Sequence, residues 1–185
     1  MDGGTGRVPC VIVGISRSPA SWWALAWAVG EARRRGARLL LIHVFRPPSA
    51  PAVADYRYGV LSAPPDPYGD CVDHGYALIR EAIAQAVGWV PGDVALERRV
   101  LSGRAAVKLA CLAQGDDLIV LGCRRRGVLR RLAPGSVGRA CARRADCPVV
   151  AVPEPAMTAL KAGAVGPARA RWRRWVPHRG AQTAS

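Results

Sequence analysis

Four short, nearly continuous apolar runs dominate the chain: Val8 to Gly14 (VPCVIVG), Arg38 to Val44 (RLLLIHV), Asp117 to Gly122 (DLIVLG) and Pro148 to Val152 (PVVAV). Such runs, with little polar alternation, are what strands buried on both faces of a sheet require. A further segment, Val94 to Leu101 (VALERRVL), alternates and fits an edge strand half exposed to water. Helix-length stretches separate these segments, so the chain reads as five strands alternating with four helices. Strand–helix–strand units of this length wind right-handed and place their strands in parallel.

The helices carry their own punctuation. Ser18 stands at an N-cap position, Pro19 at the first helical position and Gly36 just past the end of a stretch to Arg35. Within it Trp22, Leu25 and Val29 recur at helical spacing beside Trp23, Ala26 and Trp27, and Arg33, Arg34 and Arg35 suit the negative end of the macrodipole. Asp70 to Val87 reads as the next helix, with Tyr76, Ile79 and Ile83 on one face. Ala105 to Ala113 is a short third helix and a fourth starts at Ser136. Arg46 to Gly69 holds six of the fifteen prolines, which marks a flap over a site or a disordered excursion. Beyond Pro153 the chain turns rich in Ala, Arg, Gly and Pro. We expect one α/β domain over 7–153 and a basic, disordered tail over 154–185.

Composition bounds the function classes. Half of the 185 residues are hydrophobic and 22% are charged, which suits a globular core and excludes a coiled coil or a collagenous fibre. The longest uncharged stretch near the start, Ser18 to Gly30, is too short to span a membrane, and no basic n-region precedes an apolar stretch. A cytoplasmic protein is expected. Six cysteines without a C-x-x-C and three scattered histidines do not make a zinc framework, so reduced thiols and no metal site are expected. The net charge is +14, with eight arginines and no acid from Arg124 to Arg144. That face and the tail, where Trp172 and Trp175 lie within RWRRW, fit a nucleic acid or an anionic membrane surface. A soluble basic tail is the plainer alternative.

In a doubly wound sheet, ligands bind outside the carboxyl ends of the strands where strand order reverses. The loop from Gly122 to Val137 places glycines at a strand end and at a helix start, where backbone N–H groups favour an anion. Gly122 to Gly127 meets the G-x-x-x-x-G part of a Walker A loop, but Val128 and Leu129 replace its Lys and Ser/Thr. No G-x-G-x-x-G follows the first strand, and Gly14-x-Ser16-x-Ser18 lacks the second glycine of a nucleophile elbow. No catalytic residues are assigned. Cys123, next to three arginines, suggests a thiol of lowered pKa.

The chain resembles the universal stress proteins through VIVG-x-x-x-Ser-Pro, EARRRGARLLLIHV, Val100-Leu101-x-Gly103-x-Ala105, DDLIVLG and GSVGRACARRADCPVVAVP. The resemblance implies a doubly wound five-stranded parallel sheet of order 3-2-1-4-5 with helices on both faces, and a homodimer through the last strand. It also implies a stress-response module, some members of which bind ATP or AMP, the former with Mg. Their G-x2-G-x9-G-[S/T] motif maps onto Gly122, Arg125 in place of the middle glycine, and Gly135-Ser136. Ser16 replaces an Asp after the first strand. The implied nucleotide site comprises Ser16, Val44, Gly122, Arg124, Arg125, Gly127, Gly135, Ser136 and Val137. The alternative is a nucleotide-free scaffold working through protein or polyanion contacts of its arginine-rich face and tail.

Overall fold

The computed structural model describes residues 7–47, 66–89, 92–123 and 136–155. Five strands, β1 (Cys10–Ile15), β2 (Arg38–Phe45), β3 (Leu96–Ser102), β4 (Leu118–Cys123) and β5 (Val149–Pro153), alternate with four helices, α1 (Pro19–Arg35), α2 (Pro67–Ala86), α3 (Ala105–Leu112) and α4 (Ser136–Ala142). The strands form one sheet in the order β3-β2-β1-β4-β5, and every pairing is parallel. Fold class and strand order agree with the sequence-based expectation. The tail after residue 155, and the proline-rich connection over 48–65, lie outside the described residues.

Alternation along the strands divides the core in two. Val11, Val13, Leu39, Leu41, Leu118 and Val120 face one side, against Ala24, Leu25, Ala28 and Val29 of α1 and Ile79 and Ala82 of α2. Ile12, Leu40, Ile42, Ile119 and Leu121 face the other, with Leu109 of α3 and Cys141 of α4. Burying each large aliphatic side chain contributes about 1.5–3 kcal/mol, so the central strands hold the sheet together from both faces. The charged β3, with Glu97, Arg98 and Arg99, takes the expected edge position.

Two helix faces differ from the pattern read in the sequence. On α1 it is Ala20, Ala24, Ala28 and Ala32 with Leu25 and Val29 that are buried, while Trp22, Trp23 and Trp27 pack from the flanks. Small side chains let this helix approach the sheet closely, and the indoles cover its margins. On α2, Leu78 joins Ile79 inside and Tyr76 is exposed. Gly36 ends α1 with φ 58°, as its C-terminal position requires.

At the amino-terminal edge of the sheet, buried Asp117 gathers three donors. It accepts hydrogen bonds from the Cys10 N–H at 2.9 Å, the Gln114 N–H at 2.9 Å and the Arg7 guanidinium at 2.7 Å. One carboxylate thereby ties the start of β1 to the turn that feeds β4.

Candidate functional site

Strand order reverses between β1 and β4. From β1 the chain passes to α1 on one face of the sheet, and α4, which follows β4, packs on the opposite face. The helices on opposite faces leave a crevice position above the carboxyl ends of β1 and β4, where ligands bind in sheets of this type.

Residues 16–18 form one wall. The Ser16 hydroxyl lies 3.1 Å from that of Ser18 and accepts from the Ser18 N–H at 3.4 Å, a local turn of the kind serine favours. Buried Ser21 braces it from α1, its hydroxyl 2.6 Å from the Ser16 carbonyl and 2.8 Å from that of Ser18. The Ser18 hydroxyl makes no capping bond, and the first turn of α1 holds no acidic residue. The local field therefore favours an anion. The exposed Ser16 is a neutral donor and acceptor at this edge.

Two histidines reach the same edge, and sequence spacing gave no sign of it. His43 Nδ1–H donates to the Ile15 carbonyl at 3.0 Å, tying the end of β2 to the end of β1. The guanidinium of Arg17 lies against Nε2 of His74 on α2. Half-buried Val44 packs on the core beneath α3 and α4. Beside it, Phe45 meets the half-exposed Tyr68 ring edge-on at 5.3 Å, and the Tyr68 hydroxyl donates to Ser102 Oγ at 3.4 Å. Gly103 follows with φ 126°, a conformation other residues avoid, and its N–H donates to the Phe45 carbonyl at 2.8 Å.

Gly122 has a task besides the one the motif suggests. A Cβ added there would lie 2.3 Å from the backbone carbonyl of Ala20 and 2.6 Å from the Ser21 nitrogen. Its bare Cα is taken up by the first turn of α1. Cys123, read as a loop thiol, is the last residue of β4 and is buried, which withdraws it from the solvent access a reactive thiol needs. Ser136 and Val137 are exposed at the start of α4. The Cys141 thiol points to the Ala106 carbonyl at 3.8 Å, which sets the end of α4 beside the first turn of α3. Ser136 and Val137, a turn or more earlier, therefore lie on the carboxyl side with Ser16 and Val44. Arg124, Arg125, Gly127 and Gly135 lie outside the described residues. Among the described residues no three His, Cys, Asp or Glu side chains come together as a metal site would need, and no helix is long and apolar enough to cross a membrane.

The family model of the universal stress proteins matches residues 10–153. A universal stress protein of Mycobacterium tuberculosis strain H37Rv is 31% identical over 144 residues, covering 77% of this chain and 46% of its own length. One from Mycolicibacterium smegmatis is 33% identical over 153 residues, with 79% and 46% covered. The chain thus spans about half the length of these curated relatives. Among solved structures, the universal stress protein UspA from Lactobacillus plantarum superposes with a TM-score of 0.56 at 24% identity, covering 79% of this chain and 98% of that one. A universal stress protein in complex with cAMP does so with a TM-score of 0.51 at 24% identity, covering 78% and 96%. By sequence match and by strand order alike, the chain belongs to the universal stress protein family.

Proposed function

We propose that the chain is a stress-response module of the cytoplasm that binds an adenine nucleotide over the carboxyl ends of β1 and β4. The observation that supports this reading is the reversal of strand order between β1 and β4, with Ser16 just past the end of β1, Val44 near the end of β2, and Ser136 and Val137 opening α4. Ser16 and Val44 would face the nucleoside. Ser136 and Val137 would take the phosphates, with Arg124, Arg125, Gly127 and Gly135 supplied by the intervening sequence. The structural neighbour described in complex with cAMP supports an adenine ligand. ATP would bring magnesium on its own phosphate oxygens. Neutral Ser16 makes a weaker bond than a carboxylate to a ribose hydroxyl, so modest affinity is expected.

The test is thermal unfolding with millimolar ATP and magnesium, beside a Gly135→Val variant. Ligand at about a hundredfold excess over Kd stabilises by about 2.7 kcal/mol. A shift in the parent that the variant lacks is expected. No shift in a folded parent overturns the reading.

Homodimerisation through β5 belongs to the same proposal. The strand VVAVP carries no charge along an edge that no described strand covers, whereas β3 protects the other edge with Glu97, Arg98 and Arg99. Light scattering should give twice the chain mass, and Ala151→Lys should return it to one.

A further inference from the structure

Arg17 follows Ser16 directly on the wall at the end of β1, and both residues are exposed. Its guanidinium is turned toward α2, where it lies against Nε2 of His74. Gly75, the next residue of α2, sets the height of that contact. A Cβ added to Gly75 would lie 3.1 Å from His43 Cδ2. His43 is the register partner of Ile15, whose carbonyl accepts its Nδ1–H. The contact between Arg17 and His74 therefore stands at the carboxyl ends of β1 and β2, beside Ser16.

This wall is positive and carries no counter-charge of its own. No acidic residue occurs from Gly3 to Gly30. Arg17 takes part in none of the ion pairs among the described residues, and Asp70 and Asp73, the acids nearest His74 along α2, do not pair with it. The Ser16 and Ser18 hydroxyls, 3.1 Å apart, can turn their hydrogens toward an oxygen anion.

Charge at this position decides which sugar a nucleotide site accepts. A carboxylate accepts hydrogen bonds from free ribose hydroxyls and repels a phosphate attached to one of them. A neutral residue with an arginine nearby reverses that preference, because a guanidinium grips phosphate oxygens in pairs. Ser16 and Arg17 make the second arrangement.

We propose that Arg17, together with Ser16, makes the strand-end site selective for an adenine nucleotide whose ribose carries a phosphomonoester at the 2′ or 3′ oxygen. The inference rests on the reading that an adenine nucleotide binds there with its nucleoside toward Ser16. The guanidinium takes two oxygens of the ribose phosphate, and the Ser16 hydroxyl donates to the third.

The experiment is isothermal titration of the full chain with AMP, ADP, adenosine 2′,5′-bisphosphate and adenosine 3′,5′-bisphosphate at one ionic strength. One bisphosphate should bind at least about tenfold tighter than AMP, the size of one charge-assisted hydrogen bond, and its identity names the ribose oxygen that is read. ADP controls for charge, since its second phosphate sits at the 5′ end. Arg17→Ala should weaken the preferred bisphosphate at least about tenfold and ADP by less than about threefold, as a screened surface charge does. Arg17→Lys should keep only part of the preference, having lost the paired geometry. Ser16→Asp should cross the series, tightening AMP while weakening the bisphosphate, an outcome that misfolding does not produce. AMP binding without a gain from either bisphosphate overturns this inference and leaves the nucleotide reading standing. Equal losses of ADP and bisphosphate in Arg17→Ala overturn it as well. Binding of none of the four nucleotides overturns both.

Discussion

The Cα of Gly122 lies so close beneath Ala20 that an added methyl group would sit 2.3 Å from the Ala20 carbonyl carbon and oxygen. Both obstructing atoms are backbone, so no rotamer change relieves the clash and α1 as a whole must lift. Overpacking of this kind costs about 1–3 kcal/mol. Gly122→Ala should therefore lower Tm by roughly 2–10 °C, without any nucleotide present. Gly30→Ala, in the exposed middle of the same helix where nothing lies within 4 Å, should instead stabilise by about 0.5–1 kcal/mol. Thermal melts of the two variants check both signs.

Asp117→Ala should be among the most disruptive polar substitutions. It strands the buried N–H of Cys10, removes the acceptor of the Gln114 N–H and removes the partner of Arg7. At about 1–3 kcal/mol for a buried group left unpaired, a loss of roughly 2 kcal/mol is expected in urea titrations. Arg7→Ala should be the milder change, because that side chain is partly solvated.

Burial pushes the Cys10, Cys141 and Cys147 thiols up to about 11 from an ordinary 9.0. Between those values an unfolded chain releases thiol protons that the native state keeps, so stability falls as pH rises through this window and is unaffected by these groups below it. The denaturation midpoint should hold up to about pH 9 and then decline. At pH 8 a thiol-specific disulfide reagent should modify exposed Cys111 in the native protein and reach these three thiols only after unfolding.

Ser16→Asp should strengthen adenine-nucleotide binding if the strand-end site operates as proposed. Replacing a neutral hydrogen bond by a charged one adds about 1–1.5 kcal/mol, or roughly tenfold in Kd. Isothermal titration with ATP and magnesium measures it.

Apolar runs and capping residues carried most of the fold in plain view: Pro19 and Gly36 bound α1, and the charges of Glu97, Arg98 and Arg99 marked an edge. What escaped notice depends on partners far apart in the chain. Asp117 meets Cys10 across 107 positions, and Arg17 meets His74 across 57. Bulk misled the assignment on α1, where the tryptophans look like the core but alanines are what a helix pressed against Gly122 can accommodate. Gly122 itself shows how one glycine serves two readings, a phosphate loop by motif and a helix seat by geometry. Of the nine site positions named from sequence, Ser16 and Val44 stand at the ends of β1 and β2, Gly122 lies near the end of β4, Ser136 and Val137 open α4, and Arg124, Arg125, Gly127 and Gly135 lie outside the described residues.

The unequal margins of the sheet limit how large an assembly could grow. A strand with two open sides can be extended repeatedly, and repetition leads to fibres. If copies pair through β5 as proposed, the charged margin at β3 opposes a second pairing. Association by that route would then end at two chains, however concentrated the protein becomes.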